Sequence, residues 1–145
     1  MSDFKIILFL DVDGVLNNTL TPTWFDSFNM TNLKRVCEIL GEPTIVLSSD
    51  WRRTPSNLEE VRKQLASIGL EVFDCTPVLS DVRERSVEIA LWLDGKIFDK
   101  AFILDDMPAE FVDPDIDNVL FVKTDPSLGL TENDVDLINS LMKDK

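Results

Sequence analysis

Residues 4 to 10 read FKIILFL, and the next four read DVDG. A run apolar on both faces, with Lys5 its one exception, predicts a central strand of a parallel sheet covered by helices on both sides. Its abrupt end on two aspartates one residue apart is the sharper constraint. Two like charges beside a buried strand are either an Asp-rich turn capping the strand or carboxylates gathered for a cation and a proton transfer.

The rest of the chain supplies the sheet and its covering layers. TIVL (residues 44 to 47), residues 70 to 73, KAFIL (100 to 104) and VLFV (119 to 122) are further apolar runs. Segments of helical spacing lie between them. MTNLKRVCEIL, residues 30 to 40, puts Leu33, Val36, Cys37 and Leu40 on one face and can be stopped by Gly41. Pro55 and Ser56 open a second helix, with SNLE read as a capping box; Leu58, Val61, Leu65 and Ile68 follow, up to Gly69. Residues 83 to 93 turn Ile89, Trp92 and Leu93 inward, and TEND at Thr131 is a second capping box that opens a last helix. The order β-α-β-α-β-α-β-β-α predicts a three-layer α/β/α sandwich around a mostly parallel, five-stranded sheet. At 145 residues this is one domain, able to bury a core without disulfides or a structural metal. Residues 17 to 29, with Trp24, Phe25 and Phe28, read as a loop or very short helical insert over the active edge.

Composition excludes several chemistries. There is no histidine, which removes the usual general base, the Ser-His-Asp triad and most zinc sites. Cys37 and Cys75 are too few and too isolated for a disulfide scaffold and read as buried free thiols, which suits a reducing, cytoplasmic compartment. No signal peptide is expected, because Asp11 and Asp13 break the first apolar run, and no stretch approaches the roughly 20 apolar residues of a membrane span. The net charge of −13 falls mostly on the second half: −3 up to Val72 and −10 from Phe73 onward. Nonspecific binding to a long nucleic acid backbone is therefore disfavoured, although a local basic patch can hold one phosphate.

In a parallel α/β sheet, ligands sit outside the carboxyl ends of the strands. Asp11, Asp13 and Gly14 follow the first run, SSDWRR (48 to 53) the second, Asp105 and Asp106 the fourth, and Lys123, Thr124 and Asp125 the fifth. Carboxylates meeting at one edge raise each other's pKa, and a hard divalent cation relieves the repulsion. Mg²⁺ suits an all-oxygen site; its ligands are expected among Asp11, Asp13, Asp105 and Asp106, one of them through a backbone carbonyl. The EF-hand spacing is absent, since no Glu stands twelfth in a loop starting at Asp11.

This arrangement resembles the haloacid dehalogenase (HAD) superfamily of phosphotransferases. DVDGV matches its first motif, Ser48 after TIVL the second, and Asp105 and Asp106 in LDD the fourth, in that order along nearly the whole chain. The third motif is a single basic residue: Arg85 is the choice, with Arg83 and Lys100 as rivals. SSDWR, followed by GLT at residues 129 to 131, is similar to a small branch associated with nucleic-acid-repair proteins and phage genomes. The resemblance implies a Rossmann-like fold and an aspartyl-phosphate mechanism. Asp11 is then the nucleophile, and Asp13 the acid for the leaving oxygen and the base for water. Ser48 and Arg85 hold the nonbridging oxygens, and Asp105 and Asp106 serve the metal.

With only residues 17 to 29 before the next helix, the chain reads as cap-less or nearly so. An open site admits a bulky phosphorylated substrate, with a nucleotide or nucleic acid end as the leading expectation. A phosphoprotein, or a non-catalytic phosphate- or partner-binding role on the same fold, is the alternative. Gly14, Ser49, Arg52 and Trp24 are the expected substrate contacts. Ser49 has an alternative inward role and Arg52 a surface salt bridge, while Trp24 and Phe25 can instead form a hydrophobic staple or a dimer contact. Homo-oligomerisation is a further way to cover the site.

Overall fold

The computed structural model describes residues 4–79, 85–107 and 118–143. Five strands, β1 (Phe4–Leu10), β2 (Thr44–Leu47), β3 (Val72–Cys75), β4 (Phe98–Asp105) and β5 (Val119–Lys123), form one sheet in the order β3-β2-β1-β4-β5. Every pairing is parallel. The order reverses at β1, which pairs with β2 on one side and β4 on the other. The crevice beyond its carboxyl end is thus the switch point where ligands bind in such sheets.

Alternation along the strands assigns the two covering layers. Leu8, Leu10, Ile45, Leu47, Phe102 and Leu104 face α1 (Ser27–Leu40), α2 (Pro55–Ala66) and α4 (Glu132–Lys143). Ile7, Phe9, Val46, Ala101 and Ile103 face α3 (Arg85–Leu93), whose Ile89, Trp92 and Leu93 close the opposite side. Trp92 meets Phe9 edge-on at 5.7 Å, and its indole N–H donates to Asp74 at 2.8 Å, so its polar tip is satisfied at the end of the apolar layer. No described helix is long and apolar enough to cross a membrane.

Several boundaries differ from the sequence expectation for identifiable reasons. Helix α1 starts at Ser27, three residues before the apolar periodicity, because Asp26 caps it by accepting from the Asn29 N–H at 3.0 Å. The SNLE capping box does not form. Helix α2 does open at Pro55, in the first turn where a missing N–H costs nothing, with Thr54 rather than Ser56 at its N-cap. Strand β3 starts at Val72 rather than Leu70, because the Leu70 N–H donates back to Leu65 at the end of α2. The TEND box at Thr131 does form, with Asp134 accepting from the Thr131 N–H at 2.9 Å and the Thr131 hydroxyl accepting from the Asp134 N–H. Residues 11 to 26, between β1 and α1, contain neither strand nor helix. Cys37 is buried, and its thiol is pushed up to about 12 by burial and by Glu38; Cys75 is only half-buried, and both thiols are free.

Candidate active site

Strand register builds the site. Leu10 pairs with both Leu47 and Leu104, so the residues that follow them, Ser48, Asp11 and Asp105, stand in one row across three adjacent strands. The backbone continues the ladder one step past the apolar strands: Asp11 N–H donates to Leu104, and Ser48 N–H to Leu10. Each polar side chain is therefore held by a buried strand, which is why Asp11, Ser48 and Asp105 are all at most 2% exposed.

Arg85, the first residue of α3, reaches across this row. One guanidinium nitrogen lies 3.0 Å from Asp11 and 2.7 Å from Asp105. Carboxylate oxygens of Asp11, Asp105 and Asp106 fall within 4.8 Å of one another. Three carboxylates against one guanidinium leave two negative charges in a largely dry site. Accordingly the Asp11 carboxyl is pushed well up, by burial first and by Asp105 second, with Arg85 opposing. Asp106 is raised for the same two reasons. The donor set is all oxygen and its charge deficit matches a divalent cation, so these residues fit a hard metal ion.

Asp13 stands apart from that cluster. Its side chain is exposed and accepts from the Trp51 indole N–H at 3.1 Å and from the Asn17 amide at 2.9 Å. Asn17 also accepts from the Gly14 N–H at 2.9 Å and donates to the Trp24 carbonyl at 3.1 Å, tying the DVDG turn to the insert. Asp13, expected among the metal ligands, thus lies outside the cluster of Asp11, Asp105 and Asp106, with one carboxylate oxygen accepting from both Trp51 and Asn17. Gly14 has φ +79°, and a Cβ there would lie 2.3 Å from an Asp106 oxygen, so only glycine lets Asp106 close over the turn.

The segment after β2 is placed differently from the sequence expectation. Ser49 faces inward, its hydroxyl accepting from the Trp51 N–H at 3.1 Å to start a short 3-10 turn, Asp50–Arg53. Arg52 is buried rather than presented to a substrate. Its guanidinium donates to the carbonyls of Thr76 (3.0 Å), Ser49 (2.8 Å) and Pro77 (3.2 Å), and pairs with buried Glu88 at 2.9 Å. Fully engaged in this way, it clamps the loop to α3 one turn beyond Arg85. Ser48 is the contrast: its hydroxyl is buried with no hydrogen-bond partner among the described residues. Of the other third-motif candidates, Lys100 donates to Leu141 at 3.1 Å, and Arg83 lies outside the described residues.

Trp24 is exposed and meets Trp51 edge-on, with ring centroids 5.9 Å apart; Phe25 meets the same ring at 5.3 Å. The GLT segment folds back on the first motif. Leu130 N–H donates to Val15 at 2.8 Å, and buried Asn29 donates to the carbonyls of Leu128 and Leu130. Sequence reasoning missed Asn17 and the Trp51–Asp13 contact, since neither residue type announces such a role. Thr124, placed at this edge by its position after the fifth run, donates its hydroxyl to the Gly14 carbonyl at 2.7 Å, a partner the sequence did not name. A cavity of about 500 Å³ beside Thr44, Leu70 and Phe73 lies at the amino ends of β2 and β3, the edge opposite the carboxylates.

Residues 7–135 match the sequence profile of the family described as HAD domain in Swiss Army Knife RNA repair proteins. No curated protein and no solved structure matches the chain.

Proposed function

The chain belongs to this family of HAD domains in RNA repair proteins, and from that premise we propose that it is a magnesium-dependent phosphomonoester hydrolase working through Asp11, with a nucleotide or nucleic acid terminal phosphate as substrate. The observation that carries the reading is the Asp11–Arg85–Asp105 row with Asp106 beside it, three carboxylates and one guanidinium at the switch point of the sheet. The RNA-repair setting of the family supports the nucleic acid end over a phosphoprotein.

Asp11, Asp105 and Asp106 would hold the cation, which supplies charge neutralisation and polarisation of the phosphoryl oxygens when bound. Asp11 attacks phosphorus, forming an acyl-phosphate bond as the bond to the ester oxygen breaks. Asp13 gives its proton to that departing oxygen. It then takes a proton from the water that attacks the acyl phosphate, releasing inorganic phosphate and restoring the Asp11 carboxylate. The unpartnered Ser48 hydroxyl and Arg85 are suited to the nonbridging oxygens. With no inserted element in residues 11 to 26, the site is read as open to a bulky substrate. The two free thiols suit a reducing, cytoplasmic setting.

The test is phosphate release from p-nitrophenyl phosphate, nucleotides, phosphorylated oligonucleotides and phosphopeptides, each with Mg²⁺ and with EDTA. Asp11→Asn is expected to reduce the Mg²⁺-dependent rate to background. Activity retained in Asp11→Asn overturns the nucleophile, and phosphopeptides outrunning every nucleotide overturns the substrate class. No activity on any substrate favours a binding role on the same fold.

A further inference from the structure

The aromatic group beside Asp13 is built into the catalytic turn rather than scattered near it. Trp51 is its joint: its ring packs against Trp24 and Phe25, while its N–H donates to the Asp13 carboxylate. Asn17 is a second joint, holding the Trp24 carbonyl, Asp13 and Gly14 together. Trp24 nevertheless remains 72% exposed, a large apolar ring that packing against Trp51 alone does not cover. Among the described residues of the 48–53 loop, Arg53 pairs with Asp50 at 3.1 Å and Arg52 is buried against Glu88. The chain as a whole carries −13. Contact with a substrate here thus rests on an uncharged ring face, starting one hydrogen bond from the proposed proton donor and extending one ring further.

Resting on the function proposed above, we infer that Trp24, backed by Trp51, is a stacking subsite for the base of the nucleotide that bears the scissile phosphate, and that the base must have a free face to reach it. Stacking is tolerant of base identity and needs no phosphate-backbone contact, so it suits an acidic protein acting on a terminal nucleotide. The terminal base of a blunt duplex keeps one open face, whereas a base at a nick is stacked on both sides and cannot offer a face to Trp24 without leaving the stack.

The experiment compares kcat/KM on nucleoside monophosphates with ribose 5-phosphate, and on a terminally phosphorylated single strand with the same strand annealed so that its phosphorylated end lies at a nick. Wild type, Trp24→Ala and Trp24→Phe are measured alongside binding of a 2-aminopurine nucleotide followed by its fluorescence. Wild type is expected to prefer the base-bearing and single-stranded substrates. In Trp24→Ala both preferences should fall about 5- to 150-fold, with weaker quenching of 2-aminopurine, and Trp24→Phe should restore most of each. Equal losses on substrates with and without a base, or unchanged preferences, overturn the subsite. If wild type hydrolyses nothing yet quenches 2-aminopurine in a Trp24-dependent way, the hydrolase reading fails while the stacking subsite stands. Absence of both hydrolysis and quenching overturns both.

Discussion

Trp51 joins the aromatic group to the proposed proton donor Asp13. Replacing it with Phe keeps a ring for Trp24 and Phe25 to pack on but removes the donor to Asp13. General-acid assistance matters when the leaving oxygen is strongly basic and little when it is not. Trp51→Phe is therefore expected to lower kcat about tenfold on nucleoside monophosphates and far less on p-nitrophenyl phosphate, a split that steady-state kinetics resolves and simple unfolding does not produce. The acidic cluster gives a second residue-scale prediction. Asp11 and Asp106 both have carboxyl pKa values raised by burial and by Asp105. A raised folded-state pKa contributes stability below the unfolded value of about 4, and that contribution is lost as pH rises through the folded value. The metal-free protein is thus penalised near neutrality, where the carboxylates ionise and a cation binds best. Mg²⁺ should raise Tm more at pH 7.5 than at pH 5. Asp106→Asn should raise the metal-free Tm by on the order of 1–3 °C, Asp106 being only partly buried, while weakening the response to Mg²⁺; thermal scans with and without the ion decide both.

At the scale of elements, the site depends on how firmly the 48–53 loop is fastened to α3. Arg52 and Glu88 form an ion pair at 2.9 Å with both side chains almost wholly buried, and Glu88 also accepts from the Leu79 N–H at 3.0 Å. Removing one partner leaves a buried charge uncompensated, which costs about 3–5 kcal/mol. Glu88→Ala should therefore shift the urea midpoint and lower Tm by roughly 6–20 °C. Because Glu88 lies one turn after Arg85, kcat should fall as well. A variant as stable and active as wild type would show that the clamp does not hold Arg85 in place. The opposite flank has its own fastening. A Cβ at Gly129, where φ is +70°, would lie 2.4 Å from the Asn29 side chain that bonds Leu128 and Leu130. Gly129→Ala is expected to loosen the GLT segment from Val15 and destabilise the chain by about 1–3 kcal/mol in denaturant unfolding.

For the whole molecule, the net charge of −13 opposes a polyanion at long range, while the proposed function asks the site to hold only a single phosphate at close range. Proteins that bind nucleic acid through many phosphate contacts lose affinity steeply with salt. Here kcat/KM on a phosphorylated oligonucleotide should stay flat or rise between 50 and 200 mM salt, and a fall of tenfold or more would reveal a basic surface that the described residues do not present.

The sequence by itself determined the frame. Strand β1, strand β2, the parallel α/β class and the row of Asp11, Ser48 and Asp105 were legible because each is local: an apolar run names a buried strand, and the polar residue after it names the end. Strand β3 was displaced by two residues, since a backbone hydrogen bond at the end of α2 outbids side-chain pattern there. Which donors meet which acceptors emerges from the folded chain alone. Arg52 and Arg85 look alike in sequence, yet one is buried against Glu88 and the other spans Asp11 and Asp105. Trp51 finds Asp13 across 38 positions of chain, and Thr124 finds Gly14 across 110. The physical reason is that a strand's register sums many weak, local preferences. A single side-chain contact between distant segments exists only once the sheet has brought their ends together.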